Sequence, residues 1–109
     1  MNNIIEMSCF SSKQPEKNEN EDFYLPPSYD SDFNIVFAVA DGVGSSEHSI
    51  LASHAAIRGI KQVLGESSFS VEEAFHSAKK EIDDLNISTA TTLTIIHIKG
   101  NEVLIGHSG

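Results

Sequence analysis

Two helical patterns stand next to each other in this chain with no strand-like run between them, and strand-like runs flank the pair on both sides. This order constrains the fold more than any other feature of the sequence. The first pattern covers about residues 46–64 and sets Ile50, Ile57, Ile60 and Leu64 on one face, with Ala56 and Val63 beside it. Ser45 or Ser46 can cap it, Glu47 lies in the first turn where the helix dipole favours acid, and Gly65 marks a stop. The second pattern begins at Ser70-Val71-Glu72-Glu73, which has the form of a capping box, and runs to about Leu85. Its apolar face is Val71, Ala74, Phe75, Ala78 and Ile82. So short a connection predicts two antiparallel neighbouring helices.

Before the helices, residues 34–40 (NIVFAVA) form a continuous apolar run that reads as a strand buried on both faces. After them, residues 91–98 (TTLTIIHI) are rich in β-branched side chains and predict a strand. Gly100-Asn101 is a tight-turn pair, and residues 102–106 return as a second strand. Near the start, residues 3–10 read as a strand and residues 11–21 as a polar loop. Residues 22–25 read as a short strand ended by Pro26 and Pro27, with a turn-rich stretch after it. Strands, two helices and a hairpin, in that order, predict an α+β fold. The sheet is mainly antiparallel, with both helices packed on one face.

A chain of 109 residues with 39% hydrophobic and 21% charged residues supports one small core. Its formal net charge of -9 argues against a nucleic-acid or anionic-membrane surface, where lysine and arginine should dominate. The single cysteine, Cys9, excludes an internal disulfide and a cysteine-based zinc cluster. The N-terminus lacks the basic and apolar regions of a signal peptide, and the apolar runs are strand-sized. The expected location is therefore cytoplasmic.

Near the end, Gly106-His107-Ser108 match the first three positions of a serine-hydrolase nucleophile elbow. That elbow belongs to a mostly parallel sheet, where neighbouring strands need a crossover connection. Here the preceding strand is joined by a tight turn, and no acid or histidine follows to complete a triad. Ser108 is not read as a nucleophile.

The carboxylates carry more chemistry. Residues 17–24 (KNENEDFY) place Glu21 and Asp22 at the entrance of a short strand, and Asp41 stands at the end of the apolar run before Gly42 and Gly44. Magnesium and manganese take carboxylate oxygens, backbone carbonyls and waters in octahedral geometry. Glu21, Asp22, Asp41 and the carbonyl of Gly42 are suitable donors, and glycine allows close backbone approach. Two such ions turn a water into a nucleophile and clamp a phosphoryl group. The five histidines, His48, His54, His76, His97 and His107, lack metal-binding spacing and read as surface or core residues.

The combination resembles the metal-dependent serine/threonine protein phosphatases of the 2C type. The residues that carry the resemblance are, in order, Asn20-Glu21-Asp22, Asp41-Gly42-Val43-Gly44, Ala52-Ser53 and Thr91-Thr92-Leu93, with Gly106-His107-Ser108-Gly109 at the end. The resemblance implies that residues 1–109 are the N-terminal part of a longer phosphatase domain, the first half of a β-sandwich, without its later metal-ligating aspartates. It implies that Glu21 and Asp41 ligate magnesium or manganese, with Asp41 bridging two ions, Gly42 offering its carbonyl and Asp22 supporting the site. Lys17 takes the place of the family's phosphate-binding arginine, as a cation without a bidentate fork. Val43 stands where some members carry a histidine, so His48 is given no acid role, and Ser45 replaces the usual second glycine. The implied partner is a phosphoserine or phosphothreonine protein, and an incomplete domain is expected to have little activity alone. The alternative is a non-catalytic phosphatase-like module that associates through its uncovered sheet.

Overall fold

The computed structural model describes residues 22–42 and 47–108. The expected strand at 3–10, the loop at 11–21 and the helix caps Ser45 and Ser46 lie outside the described residues. Within them, the chain forms β1 (Asp22–Tyr29), β2 (Ile35–Gly42), α1 (Glu47–Leu64), α2 (Val71–Asp83), β3 (Thr91–Lys99) and β4 (Glu102–Ser108). The four strands make one sheet in the order β1-β2-β3-β4, and every neighbouring pair is antiparallel. The fold is α+β with a four-stranded antiparallel sheet and two helices.

β1 continues past the expected stop at Pro26 and Pro27. Among the described residues it is an edge strand, and its register shifts between Leu25 and Ser28, which is where proline is tolerated. A proline pair has no N–H to give a ladder, so only an irregular edge accommodates it. β3 and β4 join through Gly100 (φ +58) and Asn101, with Lys99 opposite Glu102.

The registers sort the side chains onto two faces. Leu25, Val36, Ala38, Ala40, Leu93, Ile95 and His97 lie on the face that the helices cover, and all are buried. α1 contributes Ala52, Ala55, Ala56, Ile57 and Ile60 to the same core, each fully buried. Alanines on both β2 and α1 keep the helix close to the sheet, while Ile57, Ile60 and Ile95 fill the volume around them. Phe23 lies under α1, stacked on His54 at 4.0 Å between ring centroids, with the Lys61 ammonium 5.9 Å from its centre. α2 covers the β4 side: a Cβ on Gly106 would meet Val71 and Phe75 at 2.5 Å.

The helices meet at small residues. Ser77 Oγ donates to the Gly59 carbonyl at 2.7 Å, and Ala74 and Ala78 are buried beside it. Arg58 lies 3.7 Å from the Glu81 carboxylate, which also accepts from Gln62. The capping box at Ser70 is realised on one side, its hydroxyl accepting from the Glu73 N–H at 3.1 Å. Replacing Ser70 by alanine should lower stability by about 1 kcal/mol, the usual cost of losing such a cap, measured as a lower urea midpoint at unchanged slope.

The apolar run at β2 is not buried on both faces as the sequence suggested. Val36, Ala38 and Ala40 are buried, but Val39 on the other face is 48% exposed. Val103 and Ile105 share that second face and are 56% and 66% exposed. No described helix or strand packs against it. Among the described residues, no helix is long and apolar enough to cross a membrane.

Candidate functional site

The strand registers bring the expected carboxylate positions together at one end of the sheet. Asp22, the first residue of β1, is directly opposite Asp41 near the end of β2, and Asp41 in turn is opposite Thr92 of β3. Asp41 is exposed, and it belongs to the face that carries no helix. The Thr92 hydroxyl donates to the Asp41 carbonyl at 3.3 Å, which ties the end of β2 to β3. Aspartate oxygens are the donor type that magnesium and manganese take, and the register sets two aspartate positions across one ladder.

Gly42 follows Asp41 and turns toward the helices. A Cβ there would lie 2.8 Å from the carbonyl carbon of Ser49, in the first turns of α1. The backbone approach expected of Gly42 is thus made against α1. Ala52 and Ser53 of α1 are both fully buried, and Ser53 Oγ donates back to the Ile50 carbonyl at 3.0 Å. That pair seats the helix on the sheet and contributes no free polar group. Thr91 stands opposite Gly42 and Leu93 opposite Ala40. Asp22, Asp41-Gly42 and Thr91-Thr92-Leu93 therefore meet around one strand end.

Lys17 and Glu21 lie outside the described residues, and Asp22 is placed by its backbone register alone. Among the described residues, no three histidine, cysteine, aspartate or glutamate side chains gather closely enough to hold a metal. Asp41 is the described carboxylate of this strand end. Four of the histidines sit at the surface, away from one another: His54 on Phe23, His107 with its Nδ1 2.7 Å from the Thr94 hydroxyl, and His48 and His76 exposed.

His97 is different, and the sequence reading missed its partner. It is 1% exposed, and its Nε2 is 2.8 Å from Oδ2 of Asp30, which is 6% exposed. Asp30 follows β1 and organises the turn there. Its Oδ1 accepts from the N–H groups of Asp32 and Asn34 at 2.9 Å, and its Oδ2 also accepts from the Asn34 side-chain amide at 3.3 Å. Burial pushes the Asp30 carboxyl upward, but the hydrogen bonds from His97, Asn34 and Asp32 outweigh it and hold the group below its ordinary value. An ionised carboxylate only accepts, so Nε2 carries a hydrogen and donates it. Alternation along β3 was the available signal: His97 falls in step with Leu93 and Ile95, which puts a titratable ring on the core face.

Comparison of the chain with family models, curated proteins and solved structures gives no match.

Proposed function

We propose that the sheet end carrying Asp22 and Asp41 contributes ligands to a magnesium or manganese centre for phosphomonoester hydrolysis, in a serine/threonine protein phosphatase of the 2C type. The observation that carries this reading is the register, which sets Asp22 directly across from Asp41 with Gly42 next in the chain. The order of the short motifs supports it, since Thr91-Thr92-Leu93 is placed alongside Asp41-Gly42. When bound, the metal pair supplies a water acidic enough to act as nucleophile at neutral pH. The protein's own part is positional. Asp41 presents an exposed carboxylate, Thr92 holds its carbonyl, and Gly42 lies close against Ser49 of α1. Glu21 is assigned as a further ligand and Lys17 as the cation facing the phosphate of a phosphoserine or phosphothreonine protein. Two octahedral ions require about twelve donor positions between them. Waters fill many of these positions, and residues 21, 22, 41 and 42 are the proposed protein donors; turnover by this chain alone is expected to be slight.

A second reading is favoured by the open sheet face, where Val39, Val103 and Ile105 are exposed together. In that reading the chain is a phosphatase-like module that binds another protein and does no chemistry.

A manganese titration read by thermal unfolding separates the two. A ligand that binds only the native state stabilises it by RT ln(1 + [L]/Kd), about 2.7 kcal/mol at one hundred times Kd. We expect the melting temperature to rise with millimolar manganese, and the rise to vanish in Asp41→Ala. Absence of any rise in the unsubstituted chain favours the binding module. Robust phosphomonoester turnover that depends on Asp41 would overturn the expectation of slight activity.

A further inference from the structure

β4 is an edge strand with a groove beside it. Among the described residues it pairs with β3 alone, so every second residue turns its backbone N–H and carbonyl outward. Seven residues without a proline or a register shift keep that row continuous. Two clefts, of about 360 and 260 Å³, open between β4 and α2, one toward each end of the strand. Phe69, Val71 and Leu104 give the first its apolar wall; Phe75, Ile82 and Leu93 do so for the second, which reaches Ser108. Between them, at Gly106, Val71 and Phe75 come down onto the backbone and close the space. Leu104 is on the helix-covered side yet 43% exposed, so α2 does not fill the groove. Lys79 is paired with Asp83 at 3.7 Å and Lys99 stands opposite Glu102, which leaves Glu72 as the unbalanced charge lining the groove.

We propose that this groove docks a basic, extended peptide segment of another protein, which adds to β4 as a fifth strand and sets two apolar side chains, four residues apart, into the two clefts. Each feature of the segment answers one observation. The open ladder calls for an extended backbone, because a strand is what bonds to alternating N–H and carbonyl groups. Leu104 and Ser108, which mark the two clefts, are four residues apart on one face of β4, about 13 Å, and an added strand shares that spacing. The uncompensated Glu72, in a chain of net charge -9, favours a positively charged segment. A few residues beside one strand bury less than a standard interface, so the contact is a weak and transient one. The groove lies on the helix-covered side of β4, apart from Asp22, Asp41 and the open face. The proposal therefore goes beyond both functional readings, and its failure leaves the manganese titration untouched.

The test is a titration of the full 15N-labelled chain with the synthetic peptide KKTLTSTLTKK, without added metal. Amide resonances of residues 102–108 should move saturably with peptide up to about 1 mM, while those of β1 stay in place. The peptide KKTLTSLTTKK has the same composition with its leucines three apart, on opposite faces of a strand. It should bind at least about tenfold more weakly, the effect of leaving one leucine unburied. The peptide EETLTSTLTEE, which sets acid beside Glu72, should show no saturation in this range. Leu104→Ser, on the half-exposed wall of the first cleft, should weaken binding of the first peptide about tenfold with the fold intact. Four results overturn the proposal. They are no saturable shift along β4, equal binding of either control peptide, an unchanged affinity in Leu104→Ser, and a concentration-dependent shift of the same amides without peptide, which would give the edge to a second copy.

Discussion

Asp30→Ala should cost the fold about 3–5 kcal/mol, because it leaves the buried His97 ring without the carboxylate that holds it. The same carboxylate takes two backbone N–H groups of the turn after β1, so the substitution also frees Asp32 and Asn34. A domain of this size has about 5–15 kcal/mol in all. The variant should therefore show a large drop in urea midpoint and a sizeable unfolded fraction in water. Asp30→Asn is the informative partner. Its carbonyl oxygen can keep the turn bonds, and its amide can donate to a His97 ring that has moved its hydrogen to Nδ1. The loss should be smaller, and it should carry a pH signature. The Asp30 carboxyl is held below its ordinary value of 3.8 in the fold, so its ionisation contributes stability that is fully present above about 3.8. That contribution disappears as pH falls through the depressed folded value. The part of the stability difference between the unsubstituted chain and Asp30→Asn that comes from this ionisation should thus close as pH falls below about 3.8. A difference that stays constant down to pH 2 would show that the charge of Asp30 contributes nothing.

The second large effect is expected at Gly59. On an exposed helix, glycine to alanine stabilises by about 1 kcal/mol. Here the sign should reverse. A Cβ on Gly59 would stand 2.6 Å from the Ser77 carbonyl oxygen and 2.7 Å from the backbone of Ala78. These obstacles are backbone atoms of α2, which move only if the whole helix moves. Overpacking of this kind costs about 1–3 kcal/mol, enough to outweigh the propensity gain. Gly59→Val, with two further methyl groups in the same gap, should lose about 3 kcal/mol and the Ser77 hydrogen bond with it. Gly65 provides the control, because a Cβ there meets nothing within 4 Å. Gly65→Ala should be close to neutral. If Gly59→Ala matched it, the close helix contact would not contribute to stability.

The elements of the fold were legible because their signals are local. The apolar periodicity of residues 46–64, the capping box at Ser70 and the Gly100-Asn101 turn each depend on residues near in sequence, and the elements formed where those signals lie. Two expectations failed for a common reason. Pro26 and Pro27 were read as a stop, but an edge position with a bulge admits them, and edge or centre is a property of the sheet. The run at residues 34–40 was read as covered on both sides. Its composition is that of a buried strand, and whether Val39 has a neighbour depends on what else packs there. The candidate site divides in the same way. The acidic residues and Gly42 were visible as types at a strand end, but the pairing of Asp22 with Asp41 follows from a register that the β1 irregularity helps to set. Asp30 and His97 are 67 residues apart, and only the assembled sheet makes them neighbours.

The proline pair in β1 also gives the sheet a direction of growth. An edge can recruit another strand only by offering an unbroken row of N–H and carbonyl groups. β1 lacks N–H groups at Pro26 and Pro27 and is out of step between Leu25 and Ser28, so a newcomer finds no continuous ladder there. β4 has seven residues and no proline, and Val103, Leu104 and Ile105 are exposed along it. Among the described residues, β4 is therefore the edge that offers a continuous ladder to a further strand, and β1 the edge that does not.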